Sequence, residues 1–510
     1  MSKNFYITTP IYYPSAKPHM GHAYSSIVSD FFARLKKIQG YNVFFLTGTD
    51  EHGQKIQRAA EDSRKDPLKF CDEISKTFKD LSKTLNLSNN DFIRTTETRH
   101  KKSVEHLWKV LEDKNEIYLS KYSGWYSVSD EAFYNDEEIE TIEGIKKSKS
   151  SGSKVEWVEE ESYFFKLSKW QKPLLKFYKE NPKFILPVSR RNEVISFVSR
   201  GLKDLSISRK SFSWGIKVPS NSDHVIYVWL DALTNYLSAL NYPNKNEKLY
   251  KNFWPADVHI IGKDILRFHA IYWPAFLLAA DISPPKRVYG HGWILSGDEK
   301  MSKSKGNILD PLEIINQYGL DPLRYYLLKE VSFGNDGNIS NEKLESCINS
   351  DLANNYGNLC QRVISFCEKN IGLKIPKIYD FDAEDLQILD NFKNVFEDLK
   401  INIDNQNINF YLNFIIEQLF KANKYFNDQE PWKKKDDLKR LNTIVYVSLE
   451  IIRKISILLY PIIPQTALKV LNIFNIKEKD IEFATILNNK YLLSEDKINK
   501  IEILFKKITK

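Results

Sequence analysis

At 510 residues, with 42% of them hydrophobic and 27% charged, the chain has the composition of a soluble globular protein and room for about two to four domains. A net charge of +8, from 74 basic and 66 acidic residues, permits an anionic partner without requiring one. No apolar run reaches the roughly 18 residues of a membrane span, Met1 to Ile7 leads straight into a strand-like pattern with no signal peptide, and Cys71, Cys347, Cys360 and Cys367 show no CxxC spacing, so a cytoplasmic chain with reduced thiols is expected.

Phe5 to Tyr13 is β-branched and aromatic and reads as a strand. From Gly21 to Lys37 the apolar residues Ile27, Val28, Phe31, Phe32 and Leu35 fall at helical spacing, and Gly40 supplies a stop. Asn42 to Leu46 reads as a short buried strand that ends in Thr47-Gly48-Thr49-Asp50 before another helix. Strand, helix, strand, helix predicts an α/β, doubly wound parallel (Rossmann-like) sheet, whose ligands sit beyond the carboxyl ends of its strands.

Tyr122 to Phe165 is acidic and reads as strand-poor at its centre, and the run Lys146–Lys154 reads as an exposed, mobile tip. The α/β pattern resumes near His224, with strands at Val225–Trp229 and Val258–Asp264 and a helix over Ile265–Ala280. The sheet is therefore split by an inserted domain of about a hundred residues. From about Asn341 onward, apolar periodicities over Cys347–Ile371, Leu386–Phe426 and Leu438–Leu471 predict an all-α helical bundle, with Lys433–Lys435 and Lys439-Arg440 consistent with either an RNA face or solvated helix ends.

Two motifs suit phosphate chemistry. Pro18-His19-Met20-Gly21-His22 puts two imidazoles and a glycine at a helix N-terminus, where free N–H groups and the dipole favour phosphate. Paired histidines in one turn also serve as metal ligands. Lys300-Met301-Ser302-Lys303-Ser304-Lys305-Gly306 alternates cations with small hydroxyl residues in a glycine-bearing loop that can gather round a polyphosphate. A basic surface loop is its bland reading, but here the two motifs flank one split sheet in order.

HxGH with KMSKS resembles the class I aminoacyl-tRNA synthetases, and within them the methionyl-tRNA synthetase family. Tyr6–Tyr13, Phe45–Gly53, Val228–Ala232, Ile261–Asp264, Arg267–His269 and Trp273-Pro274 extend that resemblance over most of the chain. It implies a methionine–tRNA ligase that uses Mg²⁺-ATP to form methionyl-adenylate and then loads tRNA(Met), including the initiator tRNA. His19, Gly21, His22, Lys263, Asp264, Lys300, Met301, Ser302, Lys303 and Ser304 match ATP-site positions, with His19, His22, Lys300 and Lys303 in the catalytic role and Asp231 nearby; Asp264 also suits a helix cap. Asp50 would take the substrate ammonium. Ile11, Tyr13, Trp229, Leu233, Tyr236, Phe268, His269 and Trp273 match the methionine pocket, although Phe268 and Trp273 equally suit ordinary core. Asn358, Arg362 and Trp432 match anticodon-reading positions, with Trp432 also readable as a packing corner after Pro431. The implied domains are a first catalytic half over 1–115, an inserted connective domain over 116–217, a second catalytic half over 218–290, the KMSKS loop with a stem-contact region over 291–350, and the helical anticodon-binding domain over 351–510.

The sequence departs from many relatives between Trp125 and Phe165, which contain no cysteine or histidine, so no structural zinc and no other metal is expected. Residues 481–510 are too short for a dimerising barrel domain, so a monomer is expected. The rival readings are another class I synthetase, a non-ligating RNA binder that keeps the fold, and a metal-dependent hydrolase built on His19, His22 and His52.

Overall fold

The computed structural model describes residues 3–130, 132–142, 144–296, 299–300 and 310–509. It divides into two compact units, residues 4–29 with 43–291, and residues 1–3, 30–42 and 292–510.

Six strands of the first unit form one sheet: Asn4–Tyr12 (β1), Asn42–Thr49 (β2), Asp91–Arg94 (β3), Ile185–Leu186 (β4), Val258–Gly262 (β5) and Val288–His291 (β6). Their order is β3-β2-β1-β5-β6-β4. Pairing is parallel between β2 and β3 (Leu46 opposite Asp91), β1 and β5 (Ile7 opposite Val258), β5 and β6 (Ile260 opposite Tyr289), and β6 and β4 (Val288 opposite Ile185). Nearly every residue of β1 is buried, the mark of a strand with both sheet faces covered. The expected doubly wound sheet is thus present, and its order reverses at β1. Such a reversal opens a crevice beyond the carboxyl ends of the two strands that meet there, β1 and β5.

Within residues 116–217, Ile117–Ser127 pairs antiparallel with Glu156–Phe165 from Ile117↔Phe165 to Tyr126↔Glu156, in a four-stranded sheet with Ala132–Tyr134 and Leu205–Ser206. A hairpin of Ile139–Ile142 and Ile145–Ser148 lies between these strands in sequence. The stretch read as strand-poor is therefore largely strand. Its acidic residues come in runs, Asp136-Glu137-Glu138 and Glu159-Glu160-Glu161, and such a run does not exclude a strand whose partner lies elsewhere in the chain. The Lys146–Lys154 run is mostly exposed, as expected, and forms a bonded turn: Ser148 is fully buried, its hydroxyl accepts from the Ser150 and Ser151 N–H groups, and Lys147 bridges to Lys154. Helices Gln171–Glu180 and Val188–Ser199 flank β4 and send Leu174, Tyr178, Val194 and Val198 into the core that holds Tyr6, Leu46, Trp108 and Trp273.

In the second unit Ile294–Ser296 pairs antiparallel with Glu299–Lys300 and parallel with Gly337–Asn338. Its remainder is helical, but the long periodicities break. Leu386–Phe426 resolves into Ala383–Asn394, Phe396–Asp404 and Ile408–Asp428, the last capped by the Asn407 side chain accepting from the Phe410 N–H. Leu438–Leu471 resolves into Leu438–Leu459 and Pro464–Ile473, because Pro461 and Pro464 supply no N–H to continue the ladder. Every residue from Thr443 to Leu459 is buried, which makes Leu438–Leu459 the axis of the bundle. Among the described residues no helix is long and apolar enough to cross a membrane.

Candidate active site

The helix Met20–Ile38 (α1) begins just past β1, and its first turn is built by the two histidines themselves. The His19 carbonyl accepts from the Ala23 N–H, which makes His19 the cap residue. Its Nδ1 accepts from the Gly21 N–H at 3.1 Å, while the His19 N–H donates to His22 Nδ1 at 3.0 Å. This is the reciprocal logic of a capping box, with imidazoles in place of a hydroxyl and a carboxylate. With each Nδ1 accepting from the backbone, the ring proton of each neutral histidine sits on Nε2, and two N–H donors result. The rings stack at 3.7 Å between centroids. A Cβ on Gly21 would come within 2.9 Å of His19 Cε1, so glycine is needed to admit the ring. Tyr12 and Phe78 pack edge-on against His22, at 4.8 and 5.2 Å. Burial, and the adjacent His19, hold the His22 pKa well below the usual imidazole range, so it stays neutral.

The residues matched to the amino-acid pocket come together in graded depth. Ile11, Tyr13, Trp229 and Phe268 are partly exposed, whereas Leu233, Tyr236, His269 and Trp273 are buried. Trp229 and Phe268 stack at 3.5 Å, and Ile11 packs on the same core cluster as Leu233, Tyr236 and Trp273. His269 Nδ1 meets the Ile265 carbonyl at 3.0 Å and so carries the proton, which leaves Nε2 to accept from the Tyr236 hydroxyl at 2.7 Å. Burial pushes His269 down to about 4, consistent with a neutral ring at pH 7. The helix expected over Ile265–Ala280 contains a π turn, Phe268–Tyr272. Pro274 explains part of it: an α-helix would need its missing N–H at the Ala270 carbonyl, and that carbonyl instead accepts from the Tyr178 hydroxyl at 2.7 Å.

Asp50 directly follows β2, 5% exposed, its N–H donating to the Tyr12 carbonyl. Two neighbours flank it, Glu51, which the sequence reading missed, and His52, which it named only as a possible metal ligand. Glu51 is fully buried and accepts from Thr49, Thr96, Ser75 and Arg94, the Arg94 bonds being 2.7 and 3.0 Å. His52 Nδ1 lies 2.7 Å from Asp231, and His52's carbonyl accepts from the Tyr13 hydroxyl. Asp231 is therefore not a ligand-facing group: it is fully buried between His52 and His100. Burial would raise its pKa, but the two imidazoles outweigh that and hold it at about 2. Nothing local in the sequence marks these partners, because His100 and Asp231 are 131 positions apart.

Lys263 and Asp264 lie in a short 3-10 turn, Lys263–Ile265, at the carboxyl end of β5. Gly262 occupies the cap position, so Asp264 is not the N-cap. A Cβ on Gly262 would meet Asp264 Oδ1 at 2.5 Å, so the carboxylate folds back over the strand end. His291, also missed, closes β6 with Nε2 2.7 Å from Ser25 Oγ of α1. Lys300 ends a two-residue strand, its backbone opposite Leu295. Its side chain, with Met301, Ser302, Lys303 and Ser304, lies outside the described residues. His19, His22 and His52 do not form a metal centre, since no three His, Cys, Asp or Glu side chains among the described residues are grouped to hold an ion.

In the second unit Asn358 is exposed at the start of the Asn358–Asn370 helix, one turn before Arg362 on the same face. Arg362 donates to Asn427 Oδ1 at 2.6 Å and lies over Phe426, which sits 6.2 Å edge-on from Trp432. Trp432 is 41% exposed. Arg362 and Trp432 thus gather round Phe426, with Asn427 beside it, two residues that the sequence did not single out. A π stretch, Ile348–Gly357, precedes Asn358.

Known proteins match this arrangement along the whole chain. The family model described as tRNA synthetases class I (M) matches residues 5–146 and 140–364, and that described as the anticodon binding domain of methionyl tRNA ligase matches 376–510. The methionine–tRNA ligase of Rickettsia conorii is 48% identical over 99% of this chain and 100% of its own. That of Brucella suis is 47% identical over 95% of this chain and 94% of its own. Among solved structures, Mycobacterium tuberculosis methionyl-tRNA synthetase in complex with methionyl-adenylate is similar with a TM-score of 0.96 at 43% identity, covering 99% of both chains. Its apo form gives 0.90 at 40% identity, covering 100% of this chain and 99% of that one.

Proposed function

The chain belongs to the class I aminoacyl-tRNA synthetases as a methionine–tRNA ligase, and on that premise we propose how its own residues divide the work. In the first step the methionine carboxylate attacks the α-phosphorus of ATP, which enters with Mg²⁺ as substrate, and pyrophosphate leaves. His19 and His22 donate from Nε2 to the phosphate oxygens as charge shifts during that displacement. Lys300 and Lys303, with Met301, Ser302 and Ser304 of their loop, close on the departing pyrophosphate. Lys263 and Asp264 border the nucleotide at the end of β5. No covalent enzyme intermediate is needed, because positioning and charge stabilisation supply the rate.

Asp50 takes the substrate ammonium, and the partly exposed Ile11, Tyr13, Trp229 and Phe268 cover a slot whose floor is Leu233, Tyr236, His269 and Trp273. A neutral His269 facing a tyrosine hydroxyl presents no full charge to a thioether, which suits a flexible, polarizable side chain. In the second step a terminal ribose hydroxyl of the tRNA attacks the adenylate carbonyl and AMP leaves. Asn358, Arg362 and Trp432 read the anticodon of elongator and initiator tRNA(Met), an amide and a guanidinium for base edges and an indole for stacking. The chain acts as a monomer in this reading, its C-terminal segment held on its own helices by the Ile508 N–H at Asn349.

The observation that carries the reading is the imidazole capping box at the sheet's reversal point, which leaves two Nε2–H donors at the mouth of the crevice. The test is amino-acid-dependent ATP–pyrophosphate exchange with each of the twenty amino acids and no tRNA. Exchange with methionine, lost in Lys303→Ala, is the expected result. Exchange with a different amino acid would overturn the pocket assignment.

A further inference from the structure

We infer that Asp231, His52, His100 and Ser238 form a positioning strut that ties the turn carrying Asp50 to the helix carrying Trp229 and Leu233. The inference rests on the proposed assignment of Asp50 to the substrate ammonium and of Trp229 and Leu233 to its side chain.

The two halves of that pocket come from remote parts of the chain. Asp50 sits at the end of β2, whereas Trp229 and Leu233 belong to the helix Val228–Leu233, followed by Asn235–Ser238 with Tyr236. Asp231 lies midway between Trp229 and Leu233. Its Oδ2 is 2.7 Å from His52 Nδ1 and its Oδ1 is 2.7 Å from His100 Nε2, and His100 Nδ1 is 3.0 Å from Ser238 Oγ. Ser238 donates to the Thr234 carbonyl at 2.9 Å, so the chain of bonds returns to the segment from which it began. Asp231, His52, His100 and Ser238 are each at most 3% exposed.

On the other side of the turn, Glu51 is pinned by Arg94, Thr96, Thr49 and Ser75. Residues 50–52 are therefore held from both flanks, toward β3 by Glu51 and toward the Trp229 helix by His52. A fully buried carboxylate is costly, and an apolar residue of similar size commonly serves stability as well. What paired hydrogen bonds add is a fixed distance and direction between the elements they join. A 1 Å displacement between a binding group and its substrate costs on the order of a hundredfold, so such a fixed span matters at a recognition site. His52 touches the pocket a second way, because its carbonyl accepts from the Tyr13 hydroxyl at 2.7 Å.

The experiment is ATP–pyrophosphate exchange on the full chain, with KM for methionine, KM for ATP and kcat measured separately. His52→Ala removes the strut, whereas His52→Asn places an amide N–H where Nδ1 stood and restores one neutral donor to Asp231. His52→Ala and Asp231→Asn should each raise KM for methionine about tenfold. KM for ATP and kcat should stay within about threefold, and His52→Asn should recover most of the loss. A purely structural role would lower kcat and disturb both KM values together in every variant, and that result would overturn the inference. So would a His52→Asn enzyme no better than His52→Ala. Should Asp231→Asn fail to fold, the His52 pair decides alone. Asp50→Asn separates the two claims: if it leaves KM for methionine unchanged while the His52 pair still splits, the ammonium assignment fails and the strut stands through Trp229 and Leu233. If Asp50→Asn raises that KM and the His52 pair does not split, the strut fails and the assignment stands.

Discussion

His22 closes the first turn of α1 with its Nδ1, and the proposed function gives its Nε2–H to the substrate phosphates. A substitution can separate them. Asparagine carries an acceptor near the place of Nδ1 but nothing at Nε2, so His22→Asn should keep the melting temperature within a degree or two of the parent and lower kcat for exchange by about 10²–10³, the usual loss for one transition-state donor. His22→Ala loses the cap as well and should cost roughly 1 kcal/mol of stability besides, read by thermal or urea unfolding. The pH dependence follows from the depressed pKa of His22. Because the folded form releases the proton more readily than the unfolded chain, acid drives unfolding here: this group's contribution is fully present above pH 6.5 and is lost as pH falls below it. Activity carried by the Nε2–H of a neutral ring should accordingly be flat from pH 8 down to pH 6, with no inflection from His22 in that range. The motif itself was legible in the sequence. The tautomer was not, since it depends on which backbone N–H each ring meets.

The π turn Phe268–Tyr272 carries two of the proposed pocket residues, and its register depends on a hydroxyl from another helix. Tyr178→Phe leaves the Ala270 carbonyl buried without its partner, which should cost about 1–3 kcal/mol in unfolding experiments. It should also raise KM for methionine, because an unsatisfied carbonyl favours a shift of the turn that holds Phe268 and His269. An unchanged KM alongside the lost stability would show that the turn keeps its shape without the bond. Here the sequence revealed a helix over Ile265–Ala280 but no π register, because the cause is split between Pro274 and a tyrosine 96 positions earlier. The same reason explains the other differences. Periodicity over Leu386–Phe426 records a buried face and is blind to the two breaks, at Val395 and at Asn405–Asn407, that divide it. The acidic run Glu159-Glu160-Glu161 in Glu156–Phe165 gives no strand signal until its partner strand Ile117–Ser127 is known. The parallel, doubly wound character of the sheet, by contrast, followed from local signals, since alternating strands and helices leave few other arrangements.

Across the molecule, buried charges mark the places where binary patterning gave no warning. In the first unit Glu51 and Asp231 are enclosed and fully partnered near the proposed site. In the second, Asp30 is held at 2.8 Å by Arg34 and at 2.7 Å by Arg324, which also donates to the Pro461 and Ile462 carbonyls. The bundle axis adds Glu450, Arg453 and Lys454, all fully buried. Arg453 is bonded to Glu450 at 2.7 Å and to the Thr485 and Asn488 carbonyls. Lys454 bonds Asn489 Oδ1 at 2.5 Å, makes a longer contact to the Leu389 carbonyl and lies 5.3 Å over the Phe392 ring. Burial and the adjacent Arg453, opposed more weakly by Glu450 and Asp390, push it down to about 7. The unfolded chain keeps that proton up to about pH 10.4. Between these values the unfolded state binds more protons, so the unfolding free energy contributed by Lys454 rises with pH from 7 toward 10 and is at its lowest below pH 7. Lys454→Met removes the penalty together with two hydrogen bonds worth about 1 kcal/mol each, which should leave a net gain of about 2 kcal/mol at pH 6.5. The gain should shrink as pH rises and reverse near about pH 9, where the folded parent's lysine is already neutral and keeps its bonds. Urea unfolding of both proteins at pH 6.5, 8 and 9.5 measures the difference directly, and other titrating groups cancel in the comparison. A constant offset at all three pH values would mean that Lys454 stays protonated in the folded state throughout, and the bundle axis would then hold its lysine as a buried cation.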